Sequence, residues 1–166
     1  MASDALNSRA LCAELALVLL SRQWSLCTAE SCTGGLIAAA CTELPGSSVW
    51  FERGFVTYSN AAKTELLGVA PDLIIQHGAV SAEVAQAMAA GALQHAHAQV
   101  ALAVTGVAGP SGGSADKPVG TVWFGWATPT GLSSQRMQFS GDRQAVRSAS
   151  QHYALSQLLR ILQQPS

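Results

Sequence analysis

The run TAESCTGG, Thr28 to Gly35, places a serine where an apolar strand gives way to a glycine-rich helix start, which makes Ser31 a candidate nucleophile. A serine hydroxyl attacks poorly at neutral pH unless a base lies beside it and donors await the oxyanion. Unpaired N–H groups at a helix start are such donors, and they put Cys32, Thr33 and Gly34 forward as oxyanion or anion contacts. Two other readings stand beside this one. Gly34 and Gly35 would serve close helix-to-sheet packing with Ser31 as a plain N-cap, or Cys32, at a helix start that favours thiolate, would be the nucleophile.

A base is sought in GFVTYSNAAKTELLG, Gly54 to Gly68, which reads as a strand ending at Tyr58, a Ser59–Asn60 cap and a helix with Lys63 in its first turn. A cation there opposes the positive end of the helix dipole, so partial burial would lower its pKa and free a neutral amine. Lys63 and Lys117 are the two lysines of the chain. Lys117 lies in GPSGGSADKPVG, whose composition is that of a mobile loop, better suited to touching a ligand than to holding a fixed base. A solvated Lys63 paired with Glu65 is the alternative. Thr105–Gly106 closes an apolar run, and its amides would meet a substrate beside Ser31 if neighbouring parallel strands deliver their carboxyl ends to one crevice. In FSGDRQAVRSAS, Arg143 and Arg147 stand four apart behind an Asp142 cap. Two guanidinium groups on one helical face suit a phosphate, with a solvated face as the other reading.

These side chains need a scaffold, and the apolar periodicity supplies one. Helices are expected near 6–23, 32–43, 60–67, 81–96 and 142–163, and strands near 25–30, 49–58, 99–105, 119–128 and 132–139. His77 reads as a loop residue before a helix capped by Ser81. Strands alternating with helices, plus one antiparallel hairpin, predict a three-layer α/β/α sandwich with a mixed, mostly parallel central sheet. The 166 residues, 49% of them hydrophobic, form one domain, 1–166, without repeat or linker.

Composition excludes several classes of function. A net charge of −1 with 11% charged residues leaves no basic footprint for nucleic acid. The apolar stretch Leu11–Leu20 is broken by Glu14 and too short for a bilayer, and Asp4 stands where a signal peptide would carry basic charge. The expectation is a cytoplasmic protein with no membrane partner. Cys12, Cys27, Cys32 and Cys41 lack CxxC spacing and read as reduced thiols. His95 and His97 diverge on a helix end, so no metal site is expected. Neither TAESCTGG nor GPSGGSADK fits the phosphate-loop pattern GxxxxGK[ST].

Taken together, TAESCTGG, LPGSS at Leu44–Ser48, FERGFVTYSNAAK, HGAVS, VTGVAGPSGG, DKPVGTVWF and FSGDR resemble the CinA C-terminal domain family over residues 6 to 163. Stand-alone members of that family are nicotinamide-nucleotide amidases. The resemblance implies hydrolysis of the carboxamide of nicotinamide mononucleotide, a pyridine nucleotide, to nicotinate mononucleotide and ammonia, with no metal or cofactor. It further implies that Ser31 is the nucleophile, Lys63 its basic partner and Tyr58 a hydroxyl beside them, with Thr105 and Gly106 near the reacting group. Glu30 and the arginines of the GDR segment fall within the match. Ser111 and Cys41 depart mildly from the family pattern and bear on substrate preference. A non-catalytic pyridine-nucleotide-binding module on the same fold is the alternative, and whether the chain forms a homo-oligomer is left open.

Overall fold

The computed structural model of the protein describes residues 2–165; Met1 and Ser166, the two ends of the expected domain, lie outside the described residues. Five strands, β1 (Leu26–Glu30), β2 (Phe51–Val56), β3 (Val100–Gly106), β4 (Thr121–Thr128) and β5 (Gly131–Gln138), form one sheet in the order β2-β1-β3-β4-β5. β1 runs parallel to both β2 and β3, whereas β4 is antiparallel to β3 and to β5. Four of the five strands therefore point the same way, and the sheet is mixed as expected.

The strands read as buried because their side chains alternate between two cores. Val100, Leu102 and Val104 of β3, with Val122, Phe124 and Trp126 of β4, face α1 (Ala2–Ser21), α2 (Leu36–Thr42) and α6 (Arg143–Gln163). Phe124 and Trp126 stack at 5.8 Å between ring centres, and the Trp126 indole donates to the Ala154 carbonyl of α6. The opposite face carries Ala101, Ala103 and Ala127, under α3 (Asn60–Leu67), α4 (Pro71–His77) and α5 (Ala82–Gln94). Small residues on this side let α5 come close: a Cβ on Gly125 of β4 would sit 2.3 Å from the Ala85 carbonyl oxygen. Helices cover both faces, giving the α/β/α layering. Among the described residues no helix is long and apolar enough to cross a membrane.

Two elements differ from the sequence expectation. His77 ends a helix, α4, rather than lying in a loop; seven residues are too few to show a period, and Pro71 at its first turn presets the helical φ. The helix expected from residue 32 begins only at Leu36, because Gly34 (φ +57°) and Gly35 (φ +105°) hold a left-handed turn that no right-handed helix can include. Ser59, Ser81 and Asp142 cap α3, α5 and α6 through their side-chain oxygens.

The helix that carries Lys63 is seated by one glycine. A Cβ on Gly91 of α5 would lie 2.0 Å from the Leu67 carbonyl oxygen at the end of α3. Gly91→Ala must therefore push α3 and α5 apart. We expect a loss of about 1–3 kcal/mol of stability by urea unfolding, the usual cost of overpacking a core, together with lower activity as Lys63 shifts.

Candidate active site

Ser31 follows the last residue of β1, and its N–H donates to Val104 O of β3 at 3.0 Å, so the serine is held at the carboxyl ends of two adjacent parallel strands. Strand alternation sends the Glu30 side chain to the α2 face and the Ser31 side chain to the α3 face. There Lys63 Nζ lies 3.1 Å from Ser31 Oγ. Both are enclosed: Ser31 is 7% exposed and Lys63 1%. Ser31 is no helix cap, since the turn after it separates it from α2.

The surroundings of Lys63 decide its chemistry. Its amine also faces Thr57 O at 3.1 Å and Tyr58 O at 3.5 Å. The ion pairs among the described residues are Glu52–Arg53 and His77–Glu83, so no carboxylate attends it. Burial pulls its pKa below the usual 10.5, against a weaker opposing influence of Cys32. The protonated amine has three N–H donors, and they meet Ser31 Oγ and the two carbonyls.

Glu30 is buried on the other face, where its two carboxylate oxygens accept from the Ile37 and Ala38 amides at 2.9 and 3.0 Å. The first-turn amides of α2 are thus taken by the chain itself. The turn between is closed by Gly34 N donating to Ser31 O at 3.0 Å. Among the described residues no other residue accepts from the Cys32 or Thr33 amides. Cys32 retains some exposure, whereas Thr33 has none, which leaves the Cys32 amide as the donor of this pair that can meet a ligand. Gly34 is exposed, but its N–H closes the turn. The Cys32 thiol is pushed up to about 12 by burial, so the helix-start argument for a thiolate fails here: desolvation dominates.

The remaining residues frame the site in ways that spacing did not reveal. Tyr58 is 60% exposed, and its hydroxyl accepts from Arg143 Nη2 at 2.9 Å rather than bonding Ser31 or Lys63. Arg143 Nη1 donates to Gly109 O at 2.9 Å, joining the segments after β2 and β3 to the start of α6. Arg147 donates through Nε and Nη2 to the carbonyls of Cys32 and Thr33. The two arginines share a face, as expected, and with Leu36, Ser148 and Gln151 they line an open cleft of about 520 Å³. Thr105 is buried and donates its hydroxyl to Ala79 O, while Gly106 stands opposite Val122 in the β3–β4 register. Lys117, expected on a mobile loop, donates to His77 O at the end of α4. The buried Thr33 and Thr57 hydroxyls have no partner, and both belong to segments that bracket the Ser31–Lys63 contact.

A buried serine–lysine contact thus stands at the carboxyl edge of a mixed α/β sheet. The CinA C-terminal domain model matches residues 8–162, and the chain belongs to that family. It is 55% identical over 148 residues to the nicotinamide-nucleotide amidohydrolase PncC of Enterobacter agglomerans, covering 89% of this chain and 90% of that one. It is 58% identical over 134 residues to PncC of Pseudomonas putida, covering 81% and 84%. The solved competence/damage inducible protein CihA of Agrobacterium tumefaciens superposes with a TM-score of 0.91 at 42% identity, covering 95% of this chain and 96% of that one.

The lowered Lys63 pKa carries a pH signature. Between its folded pKa and 10.5 the unfolded chain binds more protons than the folded one, so wild-type stability rises with pH across that window relative to a variant lacking the amine. Urea unfolding of wild type and Lys63→Met at a series of pH values should show their stability difference shifting in favour of wild type as pH climbs toward 10.5, and flat below the folded pKa.

Proposed function

We propose that this protein is a nicotinamide-nucleotide amidase, hydrolysing the carboxamide of nicotinamide mononucleotide to nicotinate mononucleotide and ammonia. The observation that carries this reading is the 3.1 Å contact between Ser31 Oγ and a buried Lys63 with no carboxylate partner. The names of the PncC relatives, which match over most of both chains, point to the same substrate.

In this reading neutral Lys63 accepts the Ser31 proton as Ser31 Oγ attacks the carboxamide carbon. The oxyanion is met by the Cys32 amide, the residue after the nucleophile being a recurrent donor in acyl transfer. Protonated Lys63 then gives its proton to the departing nitrogen, which leaves as ammonia; in the second half the neutral amine takes a proton from the attacking water and returns it to Ser31 Oγ as the ester C–O bond breaks. One lysine thus serves both halves of the cycle, and the carbonyls of Thr57 and Tyr58 hold it in place throughout. The pyridinium ring withdraws electrons from the carboxamide, so the attacked carbon is more reactive than that of an ordinary amide. Tyr58 is exposed and tied to Arg143, and the direct serine–lysine contact makes a tyrosine relay unnecessary.

The assay is ammonia release from nicotinamide mononucleotide. Ser31→Ala should abolish turnover while the fold persists, and binding without turnover in the wild type would instead support a non-catalytic nucleotide module. Lys63→Arg should be as impaired as Lys63→Ala, because a guanidinium cannot readily give up its proton; near-normal rates in the arginine variant would refute the base. In the wild type the rate should rise with pH through a lysine pKa below 10.5.

Substrate choice gives a separate measurement. Arg143 lines both the 520 Å³ cleft and a second of about 460 Å³ beside Pro110 and Val119, and we assign it to the substrate phosphate. Removing the phosphate should lower kcat/KM by at least about 2–3 kcal/mol, the scale of charge-assisted hydrogen bonds. Arg143→Ala should lose most of that discrimination. Equal kcat/KM for the mononucleotide and the riboside in wild type would refute phosphate recognition.

A further inference from the structure

Arg147 shares a helical face with Arg143, yet its guanidinium is turned to the protein backbone. Nε donates to Cys32 O at 3.1 Å and Nη2 to Thr33 O at 3.2 Å, the carbonyls of the two residues that follow the nucleophile. Each peptide group is planar and trans, so fixing its oxygen fixes the direction of the N–H on its other side. Ser31 is anchored by its own N–H to Val104 O, and its carbonyl by Gly34 N. Cys32 is therefore gripped on both flanks, by Gly34 through the peptide before it and by Arg147 through the peptide after it. The Cys32 N–H belongs to the Ser31–Cys32 peptide, so the Gly34 N–H on Ser31 O sets its direction; the Gly34 N–H in turn belongs to the peptide whose oxygen, Thr33 O, Arg147 holds, and no other residue among the described ones accepts from the Cys32 N–H.

The local backbone is shaped around the guanidinium. Gly34 adopts φ +57°, and a Cβ there would approach Arg147 Nη2 to 3.4 Å. A lysine could not replace the fork, since one ammonium offers no planar pair of donors matched to two successive carbonyls. Thr33 O accepts from both Arg147 and Leu36 N, so the same guanidinium ties the turn to the first residue of α2.

We propose that Arg147 is a positioning residue for acyl transfer, setting the Ser31–Thr33 turn so that the Cys32 N–H faces the developing oxyanion, and that it is not the phosphate grip. This rests on the amidase reading above. A donor that acts on the oxyanion contributes in the transition state and not in ground-state binding, so its misalignment lowers kcat and leaves KM nearly unchanged. The effect must also be blind to the phosphate, which sets it apart from Arg143.

The test uses Arg147→Ala and Arg147→Lys, assayed for ammonia release from the mononucleotide and from nicotinamide riboside. Wild-type turnover of the mononucleotide is the control that separates the two ideas: without it the amidase reading fails. Given that control, kcat should fall about 10²–10³-fold in both variants, the range seen when an oxyanion donor is lost, by the same factor on both substrates, with KM within about twofold. Free guanidinium at millimolar concentration should restore part of kcat in Arg147→Ala, and sodium or urea should not, a rescue that a merely unstable variant would not show. If Arg147→Ala instead raises KM for the mononucleotide alone, or removes the discrimination between the two substrates, Arg147 holds phosphate and the inference is overturned. Loss of activity without guanidinium rescue or with a shifted KM overturns it equally.

Discussion

A lysine amine shut away from water with no anion beside it is the constraint on which the rest of this structure depends. Its surroundings consist of two backbone carbonyls and one serine hydroxyl. In water an ammonium is held by hydration; here much of that hydration is gone, and burial disfavours the charged form, lowering the lysine pKa. The fold must then supply the rigidity that keeps the two carbonyls in place. It does so by running β2 directly into the capped start of α3, so that the segment offering the carbonyls and the helix offering the lysine are one continuous piece of chain.

The nearest way to ruin this arrangement would be a carboxylate on the same side, and the chain carries one immediately before the nucleophile. Glu30 is as deeply buried as Lys63, yet strand alternation sends it to the opposite face of the sheet, where two amides of α2 neutralise it. A slip of one residue in the pairing of β1 would exchange the two side chains and bring the carboxylate to the lysine, holding the ammonium protonated. The ladder from Leu26↔Val100 to Glu30↔Val104 therefore keeps the carboxylate away from Lys63 as well as the core in register.

Much of this could be read from residue order. Ser59–Asn60 as a cap, the 100–106 strand and the last helix follow from local patterns that need no tertiary information, and the apolar runs around Ser31 and Thr105 suffice to place both at strand ends. What local patterns could not give was how polar groups are spent. Glu30, Thr105 and Lys117 all looked available to a ligand, and each is bonded to backbone, Thr105 and Lys117 to distant segments. The start of α2 was misplaced for a related reason: Gly34 and Gly35 are compatible with a helix start or a left-handed turn, and the arginine that sits over the turn lies far along the chain. Tyr58 shows the same limit, since its hydroxyl is claimed by Arg143, 85 residues later.

That long reach has a consequence for how the protein comes into being. Ser31 and Lys63 lie within the first 63 residues, whereas the guanidinium that clasps the turn is 115 residues downstream of Cys32. On a ribosome both emerge while α6 is still unsynthesised. The turn therefore waits for its last two hydrogen bonds until the final helix docks, so that its closure marks completion of the chain.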